Sequence, residues 1–71
     1  MRITIKFSPE DVCDMSFCDQ NNCGDDIRVD TSAIRNLEDW LSNDKTSVII
    51  NCTHGGKRAL VKNNILYATI N

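Results

Sequence analysis

Residues 31–42, Thr-Ser-Ala-Ile-Arg-Asn-Leu-Glu-Asp-Trp-Leu-Ser, are the stretch with the clearest helical periodicity. At the angular step of an α-helix, Ala33, Ile34, Leu37, Trp40 and Leu41 gather in an apolar stripe roughly 120° wide. Arg35, Glu38, Asp39 and Ser42 fall on the opposite side. Thr31 or Ser32 is the expected N-cap, and Ser42-Asn43-Asp44 the expected stop.

Moving toward the C-terminus, the period changes from helix to strand. Thr46 to Thr53 places Val48, Ile50 and Cys52 on one face. His54-Gly55-Gly56 reads as a turn, because glycine enters positive φ without penalty. Lys57 to Lys62 is the return strand, Asn63-Asn64 a second tight turn, and Ile65 to Ile70 a third strand. The expectation is a C-terminal three-stranded meander.

Toward the N-terminus, Ile3, Ile5 and Phe7 alternate strictly with Arg2, Thr4 and Lys6, the mark of a half-buried strand. Ser8-Pro9-Glu10-Asp11 suits either the start of a helix or a type I turn. For the following Val12 to Cys18 a short helical turn is the first reading and a second hairpin strand the alternative. Both send Met15 or Phe17 into the core. Residues 19–30 are a turn-rich loop with a short strand at Ile27 and Val29.

The resulting fold class is α+β over residues 1–71 as one domain: a small antiparallel or mixed sheet of about four strands, with the amphipathic helix packed on one face. A chain of 71 residues lies near the lower limit for an autonomous core. It has no apolar run of bilayer-spanning length and no basic-then-apolar leader. A cytoplasmic protein with no membrane association is expected, with its four cysteines as free thiols.

Net charge is −2, unevenly distributed. Residues 8–44 hold all ten carboxylates and only Arg28 and Arg35, while residues 45–71 hold Lys45, Lys57, Arg58 and Lys62 without one acid. Such a two-faced molecule orients itself on a partner. The acidic residues expected to meet a protein partner are Asp14, Asp19, Asp25 and Asp26. Lys57, Arg58 and Lys62 are the candidates for a nucleic-acid backbone.

Cys13, Cys18, Cys23, Cys52 and the lone His54 are the only soft ligand or nucleophile set. Five residues along a helix rotate a side chain to about 140° from its predecessor, and along a strand an odd step reverses the face. Regular structure therefore scatters these thiols, and no metal site or cofactor is expected. Asp19 to Asp30 resembles a calcium loop only in part, with Cys23 where an oxygen ligand belongs. Cys52 and His54 share a strand face without a third catalytic partner. His54-Gly55-Gly56-Lys57-Arg58 has the composition of a phosphate-binding turn but not the spacing of a P-loop.

The function expected from these residues is a non-enzymatic protein-binding regulator or inhibitor, acting by surface or sheet-edge docking through the first or last strand. A homodimer is a variant of it. Eight each of Asn, Ile and Asp against three Ala fit the coding bias of a virus or mobile element. The alternative is a zinc-stabilised nucleic-acid-binding domain built on the cysteines and His54.

Overall fold

Strand β1 (Arg2–Phe7) turns Ile3, Ile5 and Phe7 inward, and all three are buried. The computed structural model describes residues 1–9 and 13–71. Along it follow β2 (Met15–Cys18), β3 (Ile27–Arg28), α1 (Thr31–Ser42), β4 (Ser47–Asn51), β5 (Lys57–Val61), a 3₁₀ turn over Lys62–Asn64, and β6 (Ile65–Ile70). The fold is α+β, with a four-stranded mixed sheet in the order β3-β2-β1-β6 and a separate β4-β5 hairpin.

Residues 15–18 are a strand, not the helical turn. On a helix, Met15 and Phe17 would point about 200° apart, so only one could reach the core. On a strand they share a face, opposite Ile5 and Ile3 of antiparallel β1. Phe17 is thereby completely buried. The other face pairs the hydroxyls of Thr4 and Ser16 at 3.0 Å. β3 then joins β2 in parallel, Phe17 beside Ile27 and Cys18 beside Arg28. Glu10, Asp11 and Val12, on which the helix-start and turn readings partly rest, lie outside the described residues.

The C-terminal meander is divided. β4 and β5 pair antiparallel, Val48 opposite Leu60 and Ile50 opposite Arg58. β6 leaves them and runs antiparallel to β1, Ile3 opposite Ile70 and Ile5 opposite Ala68. The cause lies at residues 62–64. A two-residue hairpin needs left-handed backbone, and among the described residues no residue other than glycine has positive φ. Lys62–Asn64 instead form a 3₁₀ turn that carries the chain across to β1. There Ile65 and Ala68 pack against the core.

Helix α1 matches the expected span at both ends, although Asp30 rather than Thr31 or Ser32 occupies the N-cap. Its buried residues are Ile34, Leu37 and Trp40. They meet Ile3, Ile5, Phe7, Phe17 and Val29 on the large-sheet side and Ile50 and Leu60 from the hairpin, in a single hydrophobic cluster. The last carbonyls of the helix find partners within the chain. Lys62 Nζ donates to Trp40 O and Asn43 O, each at 2.5 Å, and stands 4.7 Å from the centre of the Trp40 ring. A cation here complements the negative end of the helix dipole and the face of the indole. Among the described residues no helix is long and apolar enough to cross a membrane.

Because Phe17 is enclosed by the cluster, Phe17→Ala is expected to cost about 3–5 kcal/mol, comparable to the whole stability of so small a core. Urea denaturation followed by far-UV circular dichroism measures it; a loss below about 1 kcal/mol would contradict this packing.

Candidate functional site

Two places on the molecule combine exposure with chemistry: a cleft beside the β4–β5 turn and the free edge of β6. The cleft begins at Cys18, on the last residue of β2. From there the chain turns through residues 19–26 and brings Cys23 back to Cys18, with which it forms a disulfide; the two Cα atoms are 5.8 Å apart. The geometric argument that scattered the thiols holds for helices and strands. The irregular residues 19–22 escape it, and two of the four cysteines expected to stay free thiols are bonded to each other instead. Gly24, at φ 60°, and a hydrogen bond donated by the Asp26 amide to Cys23 O at 3.1 Å complete the reversal. Cys13, exposed, and Cys52, half-buried, are free thiols.

This loop orders the acidic residues in a way their sequence does not show. Asp26 Oδ2 lies 2.5 Å from Arg2 Nε, Asp19 Oδ1 lies 2.9 Å from the Met1 ammonium, and Asp14 Oδ1 lies 3.2 Å from Lys6 Nζ. Three of the four expected partner-binding acids thus face cations of their own chain, and exposed Asp25 joins none of these pairs. Surface pairs of this kind contribute little each, but they offset the charge of three of the four acids that a basic partner would seek. Hydrogen bonding from the Met1 ammonium holds the Asp19 carboxyl below its ordinary value of 3.8, aided by the charge of that ammonium and by Thr31, while partial desolvation opposes them.

The loop meets the hairpin where the Thr53 amide donates to Arg28 O at 2.9 Å. Gly55 and Gly56, at φ 97° and 79°, turn the chain back into β5. Between loop and turn lies an open cleft of about 450 Å³. Arg28, His54, Lys57 and Arg58 line it with Cys52 and Asp26. A second, smaller cleft over Asn21–Gly24 shares Asp26, Arg28 and His54 with it. Arg28 rests both terminal nitrogens on Asn21, Nη1 donating to the backbone oxygen at 3.2 Å and Nη2 to Oδ1 at 3.4 Å, which leaves Nε and the second hydrogen of each Nη for other acceptors.

Of the basic residues expected to act together, Lys57 and Arg58 share this cleft, whereas Lys62 is at the far end of β5, about 15 Å along the strand. It caps α1 and does not extend a basic patch. Arg28 takes its place in the cleft. No linear signal marks Arg28, since 25 residues separate it from Thr53 and only the closed fold joins them. The expected Cys52–His54 proximity is present in that both line the cleft, but β4 ends at Asn51 and Cys52 stands outside the core cluster. Among the described residues no three His, Cys, Asp or Glu side chains are placed to hold a metal ion. Of the residues that fit the calcium-loop pattern, Asp19 is turned to the Met1 ammonium, and Cys23, where an oxygen ligand belongs, is bonded to Cys18.

The second place is β6. Arg2 and Asn71 exchange both backbone bonds, at 3.0 and 2.9 Å. In an antiparallel ladder such pairs alternate with pairs that make none, so Ile3–Ile70 and Ile5–Ala68 are of the second kind. The amides of Ala68 and Ile70 therefore point away from β1, to an edge that no strand covers among the described residues. Leu66, Tyr67 and Ile70 are 51%, 58% and 45% exposed along it.

No family model matches the chain, and comparisons with curated proteins and with solved structures likewise give no match.

Titration of the denatured, unreduced protein with a thiol reagent is expected to find two reactive thiols, those of Cys13 and Cys52, and four after reduction. Four before reduction would show the Cys18–Cys23 bond to be absent.

The depressed Asp19 carboxyl stabilises the fold fully above its unfolded value, and that contribution fades as pH falls through the lower folded value. Urea midpoints measured below about pH 4 are expected to fall less steeply in Asp19→Asn than in the unaltered chain. Parallel slopes would rule out this linkage.

Proposed function

We propose that this chain is a non-enzymatic regulator or inhibitor that acts by accepting a strand of a partner protein along β6. The observation that carries the reading is the outer edge of that strand. Natural edge strands are commonly protected by lysine, proline or a covering segment. Residues 65–70, Ile-Leu-Tyr-Ala-Thr-Ile, contain no charge and no proline. The register shift between Lys6 and Phe7 disturbs only the first end of β6, which leaves Tyr67 to Ile70 regular. Outward amides at Ala68 and Ile70 offer main-chain bonds, and Tyr67 and Ile70 offer apolar surface for side-chain selection.

Strand addition at the last strand is favoured over addition at the first, because β1 is occupied on both sides by β2 and β6. The acidic route is less favoured for the reason given above: Asp14, Asp19 and Asp26 already face cations. A second copy of the chain is one partner chemistry that suits the edge. Antiparallel pairing of β6 with β6 brings no like charges together, since the strand carries none.

Ile70→Pro removes one outward amide without removing a bond to β1, and so separates edge docking from stability. Affinity capture from the source cell, with sedimentation of the isolated chain in parallel, is expected to show a stoichiometric protein partner or a dimer with the unaltered chain. Both are expected to be lost with Ile70→Pro while its circular dichroism is retained. Capture or dimerisation that persists unchanged in this variant would refute docking at β6.

A further inference from the structure

The cleft between the disulfide loop and the β4–β5 turn is independent of the β6 edge, and its lining has a definite charge preference. Arg28, Lys57 and Arg58 supply three permanent cations, and His54 adds an imidazole donor. The one acid in the lining, Asp26, faces Arg2 at 2.5 Å and is matched by it. Two guanidinium groups beside an ammonium suit a compact oxyanion, because guanidinium forks offer paired donors in a plane. The volume, about 450 Å³, lies in the range of small-molecule sites.

The geometry points to a binding site for a terminal phosphate group, a phosphate monoester or the end of a pyrophosphate, held in this cleft by Arg28, Lys57 and Arg58. Three features choose this ligand over the backbone of a nucleic acid. A phosphodiester track needs cations spread along a path, and here Lys62, the next base along the strand, is turned to the end of α1. The chain as a whole is acidic, at a net charge of −2, so its long-range field repels a polyanion and only the local cluster attracts. No Phe, Tyr or Trp lines the cleft, so the broad ring platforms on which single-strand binders stack bases are missing from it and its cations favour the phosphate. A terminal phosphate carries nearly two charges near neutral pH, which matches several cations at one point better than a single diester charge.

The test is calorimetric titration of the full chain with pyrophosphate, with a 5′-phosphorylated oligothymidine, and with the same oligothymidine bearing a 5′-hydroxyl. Pyrophosphate and the phosphorylated strand are expected to bind, and the 5′-hydroxyl strand to bind at least tenfold more weakly. Tighter binding of pyrophosphate than of the phosphorylated strand assigns a small-molecule source, and the reverse order assigns a nucleic-acid end; either supports the site. Arg28→Gln, Lys57→Gln and Arg58→Gln are each expected to weaken binding roughly tenfold, the scale of one charge-assisted hydrogen bond. Lys45→Gln, outside the cleft lining, is expected to leave it unchanged. Circular dichroism of each variant separates lost affinity from lost fold. Failure of both phosphate-bearing probes to bind, equal binding of the two oligothymidines, or an equal loss in Lys45→Gln would overturn the proposal.

Discussion

Burial of the odd-numbered side chains of β1 is the constraint on which the molecule depends. Ile3 and Ile5 are wholly removed from solvent only because β2 closes one side of the strand and β6 the other, with α1 lying across the inner face. A chain of this size has few apolar side chains to bury, so each element must contribute to one common cluster. β1 is where they meet. The hairpin β4–β5 brings only Ile50 and Leu60 into that cluster and leaves Ile49 and Val61 in water. It therefore behaves as an appendage of the helix side, free to carry a turn whose chemistry is not committed to the core.

That division explains where the two candidate surfaces lie. Placing β1 in the middle of the sheet forces another strand to the edge, and β6 occupies it with an uncharged sequence. The opposite edge is shielded differently. β3 has only two residues, and the chain leading into it is tied back by the Cys18–Cys23 bond. The same loop holds Asp26 against Arg2 and positions Arg28 beside the hairpin turn, so the device that shortens one edge also builds a wall of the cleft. Lys62 shows the reverse case, a basic residue whose charge serves the fold by satisfying the last carbonyls of α1.

The elements that were legible in the chain are those whose pattern is local. Residues 31–42 show the helical stripe because Ala33, Ile34, Leu37, Trp40 and Leu41 recur at the helical interval, and the structure places Ile34, Leu37 and Trp40 in the core. β1 was equally plain from its alternation. Met15 to Cys18 carried an alternating signal and poor helix formers too, but the Ser-Pro-Glu-Asp helix start ahead of it competes with them. The choice was made by Phe17 finding Ile3. The disulfide was hidden because spacing arguments assume regular backbone, and residues 19–22 have none. In the cleft, Lys57 and Arg58 could be read from their position after two glycines, whereas Arg28 could not.

Composition and periodicity alone determined the α+β class, the helix and its buried stripe, the first strand, and the hairpin about Gly55-Gly56. These depend on interactions among residues a few positions apart, which a linear pattern records. Tertiary structure decided that β6 pairs with β1 instead of β5, that Cys18 closes on Cys23, that Asp14, Asp19 and Asp26 face cations of the same chain, and that Arg28 joins Lys57 and Arg58. Each of these joins groups that no periodic segment holds together. The irregular loop closes the disulfide, and burial of the shared core sets the other segments side by side.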